Sequence, residues 1–182
     1  MNIVTLPRLN RSLSTVIDEL NSFGFYDEKL SKVDVFLVPL GAALGWQWYG
    51  TSGDINIPAV SLSRLLKLFG LFDYSIGSLR DILRHEWAHA IADNHRGLFH
   101  SRVFTEAFYN SHSSKQKYQY NPFYFVSSYA ATNASECFAE DFMYFLKFKG
   151  KLPAKFDTPF IRKQWQFIKL LAVAIKKGQS RW

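Results

Sequence analysis

His85-Glu86-Trp87-Ala88-His89 sets two imidazoles and a carboxylate at the His-Glu-x-x-His spacing. On a helix, residues four apart lie on one face a turn above each other, so both histidines can aim a nitrogen at one ion. Glu86 then sits beside that ion, where a carboxylate can hold a water and take its proton, the general-base task in metallopeptidase chemistry. The same short motif also arises on plain surface helices, so its surroundings must decide.

Those surroundings predict a helix with two usable faces. Ser78 is placed to cap its start, and Leu79, Leu83, Trp87, Ala90 and Ile91 recur at steps of three and four as an apolar stripe. Ile82, His85, Glu86, His89 and Asp93 fall together on the adjacent stripe. One side can pack on a core while the other lines a cleft. A solvated helix does not need so thick an apolar face, and a core helix does not carry two histidines and two acids in one line.

Two histidines leave zinc short of ligands, because a catalytic site normally offers three protein ligands and one open position. The third is expected from the stretch Ser128 to Phe142, where Thr132 or Asn133 can cap a helix whose apolar side is Phe138, Phe142, Phe145 and Leu146. Glu136 and Glu140 stand four apart on its other side, with Met143. One carboxylate can bind the metal while the next hydrogen-bonds a ligating imidazole and fixes its orientation. The plainer alternative makes Glu136 the N3 carboxylate of a capping box, favoured by the helix dipole.

The run Tyr129-Ala130-Ala131-Thr132-Asn133-Ala134-Ser135-Glu136, continued by Cys137-Phe138-Ala139-Glu140, resembles the Tyr-x-x-Thr-Asn-x-x-Glu-x-Phe-Ala-Glu stretch of the anthrax lethal factor-like metallopeptidases. That group includes bacterial Pro-Pro endopeptidases, and in it the Tyr and both glutamates surround the zinc site. The 47-residue separation of Glu136 from His89 is also similar. The resemblance covers about residues 78–148 and extends loosely into the C-terminal helix. It implies a zincin-like fold of gluzincin type in which His85, His89 and Glu136 bind zinc, Glu86 is the base, Tyr129 stabilises the oxyanion and Glu140 supports the ligands from behind. The first 77 residues carry no such likeness, so substrate selection is not implied.

His95 is the rival third ligand. It follows His89 by six residues, as in the metzincin pattern His-Glu-x-x-His-x-x-Gly-x-x-His. The glycine that lets that chain turn sharply is Ala92 here, and no Met-turn follows, since Met143 lies in a helical pattern. Glu136 is therefore preferred. Asp93 is expected to bridge to His89 or to close the helix end. His100 and His112 read as ordinary surface or loop histidines, and Cys137 points about 100° away from Glu136.

The elements that must position these groups follow from periodicity. Leu13, Val16, Ile17, Leu20 and Phe23 predict a first helix of about twelve residues, stopped at Gly24. Strands are predicted at 33–38, 44–49 and 54–60, the last two joined as an antiparallel hairpin through Gly50-Thr51-Ser52-Gly53. Pro58 makes the third an edge strand or marks a strand end, and Ile55-Asn56-Ile57 is the expected edge for an incoming extended peptide. A short helix is expected from Ser61 or Ser63 through Leu65, Leu66, Leu68 and Phe69 to Gly70, and another over 102–110. Residues 111–128 are polar and aromatic without regular periodicity, which predicts an ordered lid or pocket wall. Thr158-Pro159 opens a last helix with Ile161, Trp165, Ile168, Ala172 and Ile175 on one face, expected to buttress the core or, alternatively, to meet a partner or membrane surface.

Composition bounds the rest. With 48% hydrophobic and 20% charged residues over 182, a disordered chain is excluded and a core of its own is within reach. Aromatics at 17%, with 17 Phe, point to a packed aromatic interior or to binding pockets. The single cysteine forbids an internal disulfide and suits a reducing compartment. The start of the chain lacks a basic stretch followed by an apolar run, and no segment is apolar enough to span a membrane. A cytoplasmic setting is therefore expected, with export by a signal-less route left open. The formal charge of +7, with Lys147, Lys149, Lys151 and Lys155 close together, reads as solvated surface more readily than as a nucleic-acid face.

The expectation is one α+β domain over 1–182, with a helix and a small antiparallel or mixed sheet to about 77 and a mainly helical zinc-binding half from about 78. Its expected function is zinc-dependent hydrolysis of peptide or protein substrates. The alternatives are an inactive zincin-like binding module and a basic nucleic-acid-binding domain.

Overall fold

Helix starts and stops are local signals, and among the described residues Gly24, Ser78, Asn133 and Thr158 act as the caps read from the sequence. In the computed structural model, which describes residues 3–39, 42–59 and 78–182, helix α1 spans Leu6–Phe23. It begins earlier than Leu13 because Pro7 fits the first turn and Leu9 is buried. It stops at Gly24, whose φ of 82° is a left-handed cap that other residues adopt at a cost.

Strands β1 (Asp34–Val38), β2 (Gly45–Trp48) and β3 (Gly53–Pro58) form one sheet in the order β1-β3-β2. β3 pairs parallel with β1 and antiparallel with β2, so the expected hairpin is present within a mixed sheet. The expected edge at Ile55-Asn56-Ile57 is corrected: β3 is the central strand, and β2 is the edge beside the histidine helix. Ile55 and Ile57 are both fully buried on the face of the sheet turned to the core. Pro58 is tolerated because it ends the strand, opposite Val38, where a missing donor interrupts nothing further.

Helix α2 covers Leu79–Asn94, with the Ser78 hydroxyl accepting from the Asp81 amide at 3.2 Å. Its predicted apolar stripe is buried throughout. Short helices α3 (Arg96–Phe99) and α4 (Arg102–Phe108) follow, then an irregular stretch, then α5 (Ala134–Lys147) and α6 (Pro159–Lys176). α5 starts on Asn133, which accepts from the Glu136 amide at 3.0 Å, and α6 starts on Thr158, which accepts from Ile161 at 3.2 Å. The helix expected over 61–70 lies outside the described residues.

α2 packs along α5, α1 lies on α2, and α6 backs α4 and α5. The interior is aromatic: Phe99, Phe104, Phe138 and Phe167 interlock at centroid distances of 4.8–6.4 Å. Truncating Phe138, which is fully buried, would cost about 3–5 kcal/mol. A buried ionic knot fixes the α1–α2–α5 layer: Arg84 grips Glu19 at 2.6 and 2.8 Å and Asp81 at 2.7 Å, while Lys147 reaches Asp81 at 2.9 Å. No helix among the described residues is long and apolar enough to cross a membrane.

Candidate metal centre

α2 and α5 each contribute candidate ligands because side chains four apart share a face and the two helices pack side by side. His85 Nε2 lies 3.1 Å from Glu136 Oε2, His89 Nε2 lies 3.4 Å from the same oxygen, and the two imidazole Nε2 atoms are 3.2 Å apart. Ligand atoms about 2.0–2.1 Å from a tetrahedral zinc stand about 3.3–3.4 Å from one another. The observed triangle matches that spacing, and its one-carboxylate, two-imidazole composition suits zinc. The donor set therefore fits the metal expected from the sequence.

The orientation of His85 is built from behind. Its Nδ1 donates to Glu140 Oε1 at 3.0 Å, and Glu140 Oε2 accepts from Ser127 Oγ at 2.7 Å. Ser127 in turn accepts from the Ala130 amide at 3.1 Å, tying this chain to the 3-10 turn Ala130–Thr132 before α5. A protonated Nδ1 leaves the Nε2 lone pair aimed at the shared point, the tautomer a metal ligand needs. His89 Nδ1 lies 3.4 Å from Ser135 Oγ. The capping alternative for Glu136 holds only in its Asn133 half, because the Glu136 carboxylate is directed at the imidazoles.

Electrostatics agree with this crowding of donors. Burial alone would lower the pKa of His85, but hydrogen bonds to Glu136 and Glu140 outweigh it and raise it to about 10. Burial would raise that of Glu136, yet contact with His85 and His89 depresses it well below the usual carboxylate range. The three side chains thus favour a positive charge among them, here the proton on the imidazole.

The structure also gathers Glu86 and Tyr129 near this point. The Tyr129 ring centroid is 5.7 Å from that of His85. Glu86 Oε2 accepts the backbone N–H of Trp46, on edge strand β2, at 2.7 Å. One expectation is corrected in part, and the rival third ligand set aside in the sequence lies elsewhere. Asp93 turns to β2 and not to His89: its carboxylate accepts from the Trp46 indole at 2.8 Å and from Arg96 at 3.2 Å. His95 is the cap residue at the end of α2, where its Nε2 lies 3.3 Å from Asp27, so its ring is drawn towards the segment after α1 and away from the ligand triangle.

His100 is exposed, whereas His112 is not an ordinary loop histidine. Its ring packs on Phe99 and Phe104 at 5.2 and 5.3 Å, and burial, reinforced by the charge of His89, lowers its pKa to about 4. Cys137 is buried, with its Sγ 3.4 Å from Gln164 Nε2 and 3.9 Å from Asp141 Oδ2. Sequence reasoning missed Ser127, Ser135, Gly45 and Trp46, none of which carries a local motif.

Residues 111–128 hold neither helix nor strand and form a wall, as expected. With Phe108 and Phe160 they enclose a cavity of about 710 Å³ lined by Tyr109, Tyr118, Tyr120, Tyr124 and Phe125. Tyr118 N–H donates to Ala131 at 2.9 Å and Thr158 Oγ1 donates to the Phe123 carbonyl at 2.8 Å, which pins the wall at two points. The ligand triangle is not part of this lining. No protein-family model matches the chain, and neither a curated protein nor a solved structure matches it.

Proposed function

We propose that the chain is a zincin-like, zinc-dependent metallopeptidase that cleaves within peptide or protein substrates. The observation that carries this reading is the triangle of His85 Nε2, His89 Nε2 and Glu136 Oε2 with sides of 3.1–3.4 Å, with Glu86 one residue from the first of them. His85, His89 and Glu136 would hold zinc, whose chemistry there would be to bring the pKa of a water to about 7 and to polarise the scissile carbonyl.

The protein's own groups supply the remaining tasks. Glu86 takes the proton of the attacking water and returns it to the leaving amine. Tyr129, beside His85, offers its hydroxyl to the oxygen on which negative charge develops. Glu140, buried and braced by Ser127, holds His85 in the ligating tautomer. The β2 edge beside α2 puts strand backbone next to Glu86, where an extended peptide could pair.

Glu86→Gln tests the assignment. The variant should bind zinc as the parent does and lose turnover about 100-fold or more. A Glu86→Gln variant that cleaves at the parent rate would contradict the reading.

A further inference from the structure

Glu86 belongs to α2 but is held by the sheet. Trp46 N–H donates to Oε2 at 2.7 Å, a charge-assisted bond that leaves Oε1 to meet a water. That approach depends on Gly45. A Cβ there would stand 2.9 Å from Oε2 and 3.2 Å from both Oε1 and the carboxyl carbon, and the φ of +80° is one that side chains disfavour.

A second bond fastens the same residue to the same helix. The Trp46 indole donates to Asp93 Oδ2 at 2.8 Å, two turns beyond Glu86 on the same face. Asp93 also holds Arg96, whose guanidinium lies 4.8 Å from the Trp48 ring centre, and the Trp46 and Trp48 rings are 6.1 Å apart. β2 is thus stapled to α2 at Glu86 and Asp93 by one residue, in one register.

The geometry points to Gly45 and Trp46 as positioning residues for the general base: the edge strand sets the direction of the Glu86 carboxylate, and the indole–Asp93 bond sets the register of the strand. This rests on the peptidase reading for its effect on rate, but the contact itself can be measured without turnover. A carboxylate free to rotate would present the wrong oxygen part of the time, and small misplacements of a reacting group cost large factors in rate.

The test uses the full chain with zinc in two arms. In the kinetic arm, Gly45→Ala should lower kcat about tenfold or more with KM within about twofold and zinc content as in the parent. Trp46→Phe, which keeps a ring and the backbone donor, should show the same split more mildly. Asp93→Asn, which retains an acceptor for the indole, should keep more of kcat than Asp93→Ala. In the spectroscopic arm, Glu86→Gln should move the Trp46 amide proton of the ¹⁵N-labelled protein upfield, and Asp93→Asn should move its indole proton. Both resonances unchanged by these substitutions, or kcat within twofold of the parent in both Gly45→Ala and Trp46→Phe, would overturn the proposal. A parent that cleaves nothing contradicts the peptidase reading alone, and the resonances then decide the contact.

Discussion

His85 Nδ1 and Glu140 Oε1 meet at 3.0 Å across two helices, joining residues 55 apart in the chain. Glu140 has no solvent exposure, so a buried carboxylate is spent on orienting one imidazole. Glu140→Gln keeps the shape but weakens the acceptor. Zinc affinity, measured by competition with a coloured chelator, should fall about 10–100-fold with the fold retained. An unchanged affinity would mean that Glu140 is only a core group.

The two candidates for third ligand can be separated by heat. At zinc about 1,000 times above its dissociation constant, the parent should gain about 4 kcal/mol, or roughly 8–16 °C in Tm for a chain of this size. Glu136→Ala should abolish that gain. His95→Ala should lower Tm, because it empties a buried position, while keeping the zinc-induced rise. The reverse pattern would restore His95 as the ligand.

Tyr129→Phe should lower kcat about 100-fold while zinc content and KM stay near the parent values, the signature of a group that acts on developing charge. Equal effects on zinc content would instead make Tyr129 a support for the ligands.

Asp141 supplies a pH prediction away from the ligands. Burial, reinforced by the charge of Glu140, raises its pKa well above the ordinary 3.8. Its Oδ1 has no hydrogen-bond partner among the described residues, and Cys137 Sγ lies 3.9 Å from Oδ2. The folded state therefore keeps a proton that the unfolded state releases, so this group's contribution is complete below about pH 3.8 and declines as pH rises through the raised value. Asp141→Asn removes that dependence. Its Tm should exceed the parent's at about pH 8, with the margin narrowing towards about pH 4, and a margin independent of pH would contradict the account.

Local signals were legible in the sequence, and distant pairings were not. Ser78, Asn133 and Thr158 cap their helices because a cap involves only the next three residues. Two histidines four apart on one helix and two carboxylates four apart on another follow from the same periodicity, but that the two pairs meet was implied only by the resemblance of residues 129–140 to the lethal factor-like stretch. Strand order could not be read this way: Ile55 and Ile57 alternate as well in an edge strand as in a central one, and the choice depends on β1 returning beside β3. Trp46 is 40 residues from Glu86 and 47 from Asp93, so nothing near it in the chain marks either contact. Asp93 shares a stripe with His89, yet the indole arriving from β2 claims its carboxylate.

The central claim is metal-dependent peptide hydrolysis at the His85–His89–Glu136 triangle. Its most direct test is digestion of a mixed peptide library by the zinc-loaded chain, repeated after chelation and again after zinc is restored. The account predicts defined internal cuts that vanish with chelator and return with zinc. A library left intact by a chain shown to hold one zinc, or cuts indifferent to chelator, would contradict it.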